Sequence, residues 1–157
     1  MTRALIGSLI FTVIAPGAVA GLIPYLIGSK YAPVGGPLGV IGLILILAGA
    51  AIYFWCLVHF IRARGTPAPI APTEEMVNEG LYRYVRNPMY VGVLTVIAGQ
   101  ALWFGSWAVA IYGATIFLIV HLFVILYEEP TLRRTFGESY ERYCREVPRW
   151  LPRLRAK

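Results

Sequence analysis

Apolar residues fall into four runs, Leu5 to Ile27, Leu38 to Phe60, Met89 to Trp103, and Trp107 to Tyr127, separated by short polar or turn-forming stretches. A helix needs about 20 apolar residues to cross a bilayer. The first, second and fourth runs are long enough, and the third needs some of its flanks. The pattern predicts an all-α integral membrane protein with four transmembrane helices and a cytoplasmic amphipathic C-terminal helix. The chain then divides as one membrane domain, residues 1–157, with a first helical hairpin (1–61), a cytoplasmic segment (62–88), a second hairpin (89–127) and a C-terminal helix and tail (128–157). What lies outside lipid is too short for a separate domain of about 100 residues, which excludes a soluble doubly wound nucleotide-binding fold. Arg3 followed by an apolar stretch and Ala18-Val19-Ala20 imitates a cleavable signal. The apolar run continues through Leu22, Ile23, Leu26 and Ile27, so it is read as the first membrane helix.

Local signals refine these elements. Pro16, Pro24 and the small-xxx-small pair Gly17 and Gly21 mark the first helix, and Gly39, Gly42 and Gly49 lie along the second. Both sets are read as packing devices, because lipid gives helices no hydrophobic drive to associate. Thr66 to Pro72 is expected to be extended because its prolines disfavour helix. Asn87-Pro88 predicts the start of the third helix, with Asn as N-cap and Pro at the first position. Gln100 inside that helix needs a polar partner on another helix. Pro130 forces either a bend after Glu128-Glu129 or a new helix capped by Glu129. Beyond it, Leu132, Phe136, Tyr140 and Tyr143 form one stripe of an amphipathic helix, and Trp150 suits a membrane interface.

Composition and charge agree with a membrane setting. The chain is 58% hydrophobic and 14% charged, against about half and a quarter in soluble domains. Of the 14 Lys and Arg residues, all but Lys30 fall on one side of the predicted topology, so both termini are expected in the cytoplasm. All eight acids share that side, which puts any chemistry there. The net charge of +6 is accounted for by this asymmetry and by anionic headgroups rather than by nucleic acid. Cys56 and Cys144 make no metal or redox spacing, so no metal site is expected. The Gly35 to Gly42 cluster has no preceding strand and is not a phosphate loop.

Gly80-Leu81-Tyr82-Arg83-Tyr84-Val85-Arg86-Asn87-Pro88-Met89-Tyr90-Val91-Gly92 resembles the Arg-His-Pro-x-Tyr-x-Gly signature of the isoprenylcysteine carboxyl methyltransferase and phospholipid methyltransferase superfamily. Glu128-Glu129-x-x-Leu132, Phe136-Gly137, Tyr140, Tyr143 and Val147-Pro148-Arg149 resemble the second half of the same pattern, and together the blocks cover about half the chain. The resemblance implies an integral membrane enzyme using S-adenosylmethionine, with its pocket on the cytoplasmic side. It carries Arg86, Asn87, Tyr90 and Glu129, then Glu128 and Tyr140, into that pocket. Asn87 stands where the family has His; it can bind but cannot titrate near neutral pH.

The residues themselves supply matching chemistry. The cofactor presents a sulfonium, an ammonium and a carboxylate. These call for aromatic faces such as Tyr82, Tyr84 and Tyr90, for an acid, and for Arg86 with the amides opening the third helix. Adjacent Glu128 and Glu129 lie about 100° apart on a helix, and Glu129 is expected to face the ligand. His121, seven residues before Glu128 and so on a similar face, is a further cofactor-site candidate, with a hydrogen-bonded interhelical His as its plainer reading. The acceptor is a lipophilic carboxylate of the prenylcysteine kind, a phospholipid amine, or a small hydrophobic thiol or acid. Arg149 would neutralise a carboxylate, and Glu128 would take the proton of an amine. Two other readings stay open: an NADPH-dependent enzyme like the sterol reductases, and a non-enzymatic four-helix protein that binds, transports or scaffolds.

Overall fold

The computed structural model describes residues 14–62 and 79–152. Arg3 with the signal-like start, the Thr66 to Pro72 stretch, and Arg153, Arg155 and Lys157 lie outside the described residues. The described chain is helical: α1 Ile14–Gly28, α2 Gly36–Arg62, a 3-10 turn Gly80–Arg83, α3 Pro88–Trp103, α4 Trp107–Phe123, α5 Glu129–Phe136 and α6 Glu138–Glu146. Two stretches, Gly36–His59 and Trp107–Phe136, are long and apolar enough to cross a membrane, while Ile14–Gly28 and Pro88–Trp103 are shorter apolar helices.

Two helices meet their prolines with the same device. A π turn, Gly17–Leu22, precedes Pro24, and another, Val124–Glu128, precedes Pro130. In each, the residue just before the proline closes an i→i+5 bond, Ile23 N–H to the Ala18 carbonyl and Glu129 N–H to the Val124 carbonyl. The wider turn accommodates a ring that would otherwise press on the carbonyl four residues back. Pro24 has no N–H for the Ala20 carbonyl. Gln100 Nε2 donates to that oxygen at 2.6 Å, and the Tyr112 hydroxyl donates to the neighbouring Val19 carbonyl at 2.8 Å. Gln100 thus has the interhelical partner its buried position requires. At Pro130 the helix neither stops nor is capped by Glu129; it runs through the π turn into α5.

The α2–α3 pair is a backbone-to-backbone seam. A Cβ on Gly42 would lie 2.8 Å from the Gly99 carbonyl oxygen and one on Gly99 2.7 Å from that of Gly42; Gly49 and Gly92 repeat the arrangement at 2.6 and 2.8 Å. Seven residues separate the glycines on each strand of the seam, so one face meets one face antiparallel. Gly42 and Gly49 are therefore packing glycines as expected, whereas Gly39 abuts the Val34 carbonyl of its own entry loop. Gly17 and Gly21 correct the sequence reading: nothing among the described residues lies within 4 Å of a Cβ at either.

The expected single C-terminal stripe is also corrected. Gly137, at φ +53° and ψ −128°, breaks it into α5 and α6, and Tyr140 is buried while Leu132, Phe136 and Tyr143 are half-buried. Trp150 packs its ring edge-on against Phe117, and its indole N–H donates to His121 Nδ1 at 2.9 Å.

Candidate functional site

The two motif blocks, some 60 residues apart in sequence, clasp each other through the backbone. Arg86 N–H donates to the Pro148 carbonyl at 2.9 Å, Asn87 Nδ2 to the Arg149 carbonyl at 3.1 Å, and the Tyr143 hydroxyl to the Tyr82 carbonyl at 2.7 Å. α3 starts at Pro88 as the sequence predicts, but Asn87 makes no side-chain cap. Its amide is committed to the tail instead. Gly80, at φ +60°, lets the 3-10 turn begin against His59, whose Nε2 would be 3.0 Å from a Cβ.

Inside the clasp Glu129 is almost completely buried, at 2% exposure. Arg149 holds it with a two-point fork, Nε to Oε1 at 2.6 Å and Nη2 to Oε2 at 3.0 Å. Arg86 Nη1 reaches Oε1 at 3.0 Å, and Arg133 Nη2 stands 3.5 Å from Oε2 while its Nε binds Glu141 at 2.7 Å. Three guanidinium groups on one carboxylate leave the cluster cationic, a ready partner for an anion. Arg86 Nη1 also donates to Cys144 Sγ at 2.9 Å, and its buried Nε–H has no partner among the described residues. The hydrogen bonds to Glu129 hold the Arg149 guanidinium above its ordinary pKa. Burial pushes the phenols of Tyr82, Tyr140 and Tyr143 up, so they remain neutral hydrogen-bond donors.

Glu128 points elsewhere. It accepts from the Tyr90 hydroxyl at 3.0 Å and lines a cavity of about 320 Å³. The cavity's polar end is Tyr53, Tyr82, Arg86, Asn87, Tyr90 and Glu128; the remainder is apolar, with Ala15, Pro16 and Val19 from α1, Met89 and Val93 from α3, and Ile116, Val120 and Phe123 from α4. Both π turns border it, through Val19 and Glu128.

The structure therefore brings Tyr82, Arg86, Asn87, Tyr90 and Glu128 to one cavity, and puts Glu129, Tyr140 and Arg149 in the adjoining cluster. His121 is not among the cavity residues. The π turn inserts about one residue into the helix, and one residue subtends about 100°, so His121 and Glu128 no longer share a face. His121 instead stacks on Phe117 of its own helix and accepts from Trp150 of the C-terminal tail, so its hydrogen bond ties α4 to the tail rather than to another helix. Arg149, expected to meet an acceptor carboxylate, has its fork on Glu129 and does not line the cavity. Sequence reading missed Cys144 and Tyr53 as site neighbours. The family-like block held Tyr143 in view, but nothing in the sequence aims α2 and Tyr53 at this cavity.

A family model for phospholipid methyltransferases matches residues 37–139. The chain belongs to the phospholipid methyltransferase family. The match runs from α2 into α6, so Arg149 lies beyond it. Among curated relatives, the protein-S-isoprenylcysteine O-methyltransferase of Schizosaccharomyces pombe is 32% identical over 77 residues, 49% of this chain and 33% of its own length. An uncharacterized protein of Haemophilus influenzae is 39% identical over 64 residues, 40% of this chain and all of its own. The nickel-cobalt-cadmium resistance protein NccN of Alcaligenes xylosoxydans is 28% identical over 116 residues, 74% of this chain and 49% of its own. The alignment thus spans only a third of the yeast methyltransferase. Family membership and the long apolar helices fit a membrane methyltransferase, and among the described residues no group of His, Cys, Asp and Glu could hold a metal ion.

Proposed function

We propose that this phospholipid methyltransferase family member transfers a methyl group from S-adenosylmethionine to a lipophilic acceptor at the cytoplasmic face of the membrane. The four apolar helices would cross the bilayer, α1 and α3 with help from their flanks, and both termini would be cytoplasmic. The observation that carries the reading is the junction of a cationic cluster with the polar end of an apolar cavity, made by residues of both family-like blocks.

The residues fit the cofactor. The unpartnered Arg86 Nε–H and the opening of α3 beside it suit a carboxylate, and Tyr82 and Tyr90 offer aromatic faces to a cation. Arg86, Asn87, Tyr82, Tyr90, Glu129 and Tyr140 are assigned to holding it. When bound, S-adenosylmethionine supplies an electrophilic methyl on sulfur. The chain's own part is positioning, which can lower a barrier by about 7 kcal/mol or more. Glu128 is the group placed to accept a proton from an acceptor in the cavity. Arg149 acts as a positioning residue that orients Glu129.

Calorimetric titration of the detergent-purified protein with S-adenosylmethionine, S-adenosylhomocysteine and NADPH tests the reading. Micromolar binding of both adenosyl ligands, about −8 kcal/mol, lost in Glu129→Gln and Arg86→Ala, is expected. A folded protein that binds neither adenosyl ligand overturns it, and binding of NADPH alone would favour a reductase.

A further inference from the structure

We propose that the methyl acceptor is a single-chain alkylamine, its ammonium head against Glu128 and its chain along the apolar part of the cavity; this rests on the methyltransferase reading above. Charge is the first argument. Among the described residues Glu128 has one polar partner, the neutral Tyr90 hydroxyl, and no Arg, Lys or His lies within ion-pair distance of it. The cation that does line the cavity, Arg86, turns Nη1 to Glu129 and Cys144. With the free Arg86 Nε–H kept for the cofactor carboxylate, a Glu128 carboxylate that has no counter-ion among the described residues favours a cation beside it over an acceptor carboxylate or phosphodiester.

The wall around it points the same way. Tyr53, Tyr82 and Tyr90 line the polar end with Glu128, the aromatic-plus-acid setting that suits an alkylammonium. Past them the walls are hydrocarbon. An adenine and a ribose placed there would lose their hydrogen bonds to water without replacement, at a cost of roughly 1 to 3 kcal/mol per group. This end of the cavity fits an alkyl chain, and the cofactor's polar groups belong on the arginine side.

About 320 Å³ is at the bottom of the range of roughly 300 to 1,000 Å³ that holds one small ligand, and matches one alkyl chain with its head rather than two chains held inside it. Transfer to such an amine forms an N–C bond and breaks the S–C bond of the sulfonium donor. Sulfur keeps the electron pair, and the nitrogen gives up one proton, which Glu128 receives.

The test is calorimetry of decylamine against decanoate in a neutral detergent without cofactor, followed by transfer assays with labelled S-adenosylmethionine. Decylamine is expected to bind at least about tenfold tighter than decanoate. Glu128→Gln should abolish that preference while keeping chain affinity, and Val120→Trp, which leaves Glu128 in place and fills the apolar part, should abolish binding of both. Methyl transfer to decylamine and none to vesicles of diacyl phosphatidylethanolamine is expected. Equal or tighter decanoate binding, a preference that survives Glu128→Gln, or transfer to the diacyl lipid overturns the proposal. Adenosyl titrations on the same samples separate the two failures. Adenosyl binding without amine preference removes the amine site and keeps the methyltransferase reading, and amine preference without adenosyl binding does the reverse.

Discussion

Asn87 Nδ2 donates to the backbone carbonyl of Arg149, 3.1 Å away and 62 residues later. This bond ties the tail, and with it the Arg149 fork on Glu129, to the entry of α3. Asn87 thereby acts as a tie rather than as the helix cap or a proton carrier. Asn87→Asp replaces a donor with a charged acceptor facing a carbonyl and is expected to cost about 1 to 3 kcal/mol. Asn87→His retains a ring N–H donor and should cost much less. Thermal unfolding in detergent, together with protease sensitivity of the tail, checks the order; equal effects of the two variants would remove the tie.

Glu129 is the hub of three arginines, so neutralising it leaves buried positive charge without compensation. Glu129→Gln should destabilise by about 3 to 5 kcal/mol, and Arg149→Ala nearly as much. Arg133 is exposed at 42% of its side chain, and Arg133→Ala should cost under about 1 kcal/mol. Denaturant midpoints measure all three. A Glu129→Gln loss no larger than that of Arg133→Ala would show the cluster to be solvated.

The glycine seam discriminates between two kinds of glycine. Gly49→Val and Gly99→Val place atoms where α2 and α3 backbones already touch and should prevent native packing. Gly17→Ala meets open space and should be neutral or stabilise by up to about 1 kcal/mol. Expression and detergent melting temperature distinguish them, and a tolerated Gly99→Val would mean the helices stand farther apart.

What the sequence made legible follows from periodicity. Helix starts at Pro88 and Trp107, and the turn at Phe104 to Ser106, come from proline, glycine and apolar run lengths, which are local. Gly42 and Gly49 were readable as packing glycines on one helix, but their partners Gly92 and Gly99 were not, because register between helices is a tertiary property. The same limit misplaced His121. Counting residues at 3.6 per turn assumes an uninterrupted α-helix, and the π turn before Pro130 changes the count. Arg86, Tyr90, Glu128 and Glu129 were legible as a group; which acid faces the cavity and which faces the arginines depends on that same turn.

The bond from Gln100 to the Ala20 carbonyl exists because Pro24 cannot supply its own. The two residues should therefore be energetically coupled. Gln100→Leu alone leaves a buried carbonyl unsatisfied and should cost about 1 to 3 kcal/mol. Pro24→Ala gives the helix back an N–H for that oxygen, so Gln100→Leu in the Pro24→Ala background should cost at least about 1 kcal/mol less than in the wild type. A double-mutant cycle of unfolding free energies measures the coupling. Additive effects would mean that Gln100 does no more than fill space, and that the π turn satisfies the Ala20 carbonyl without help from α3.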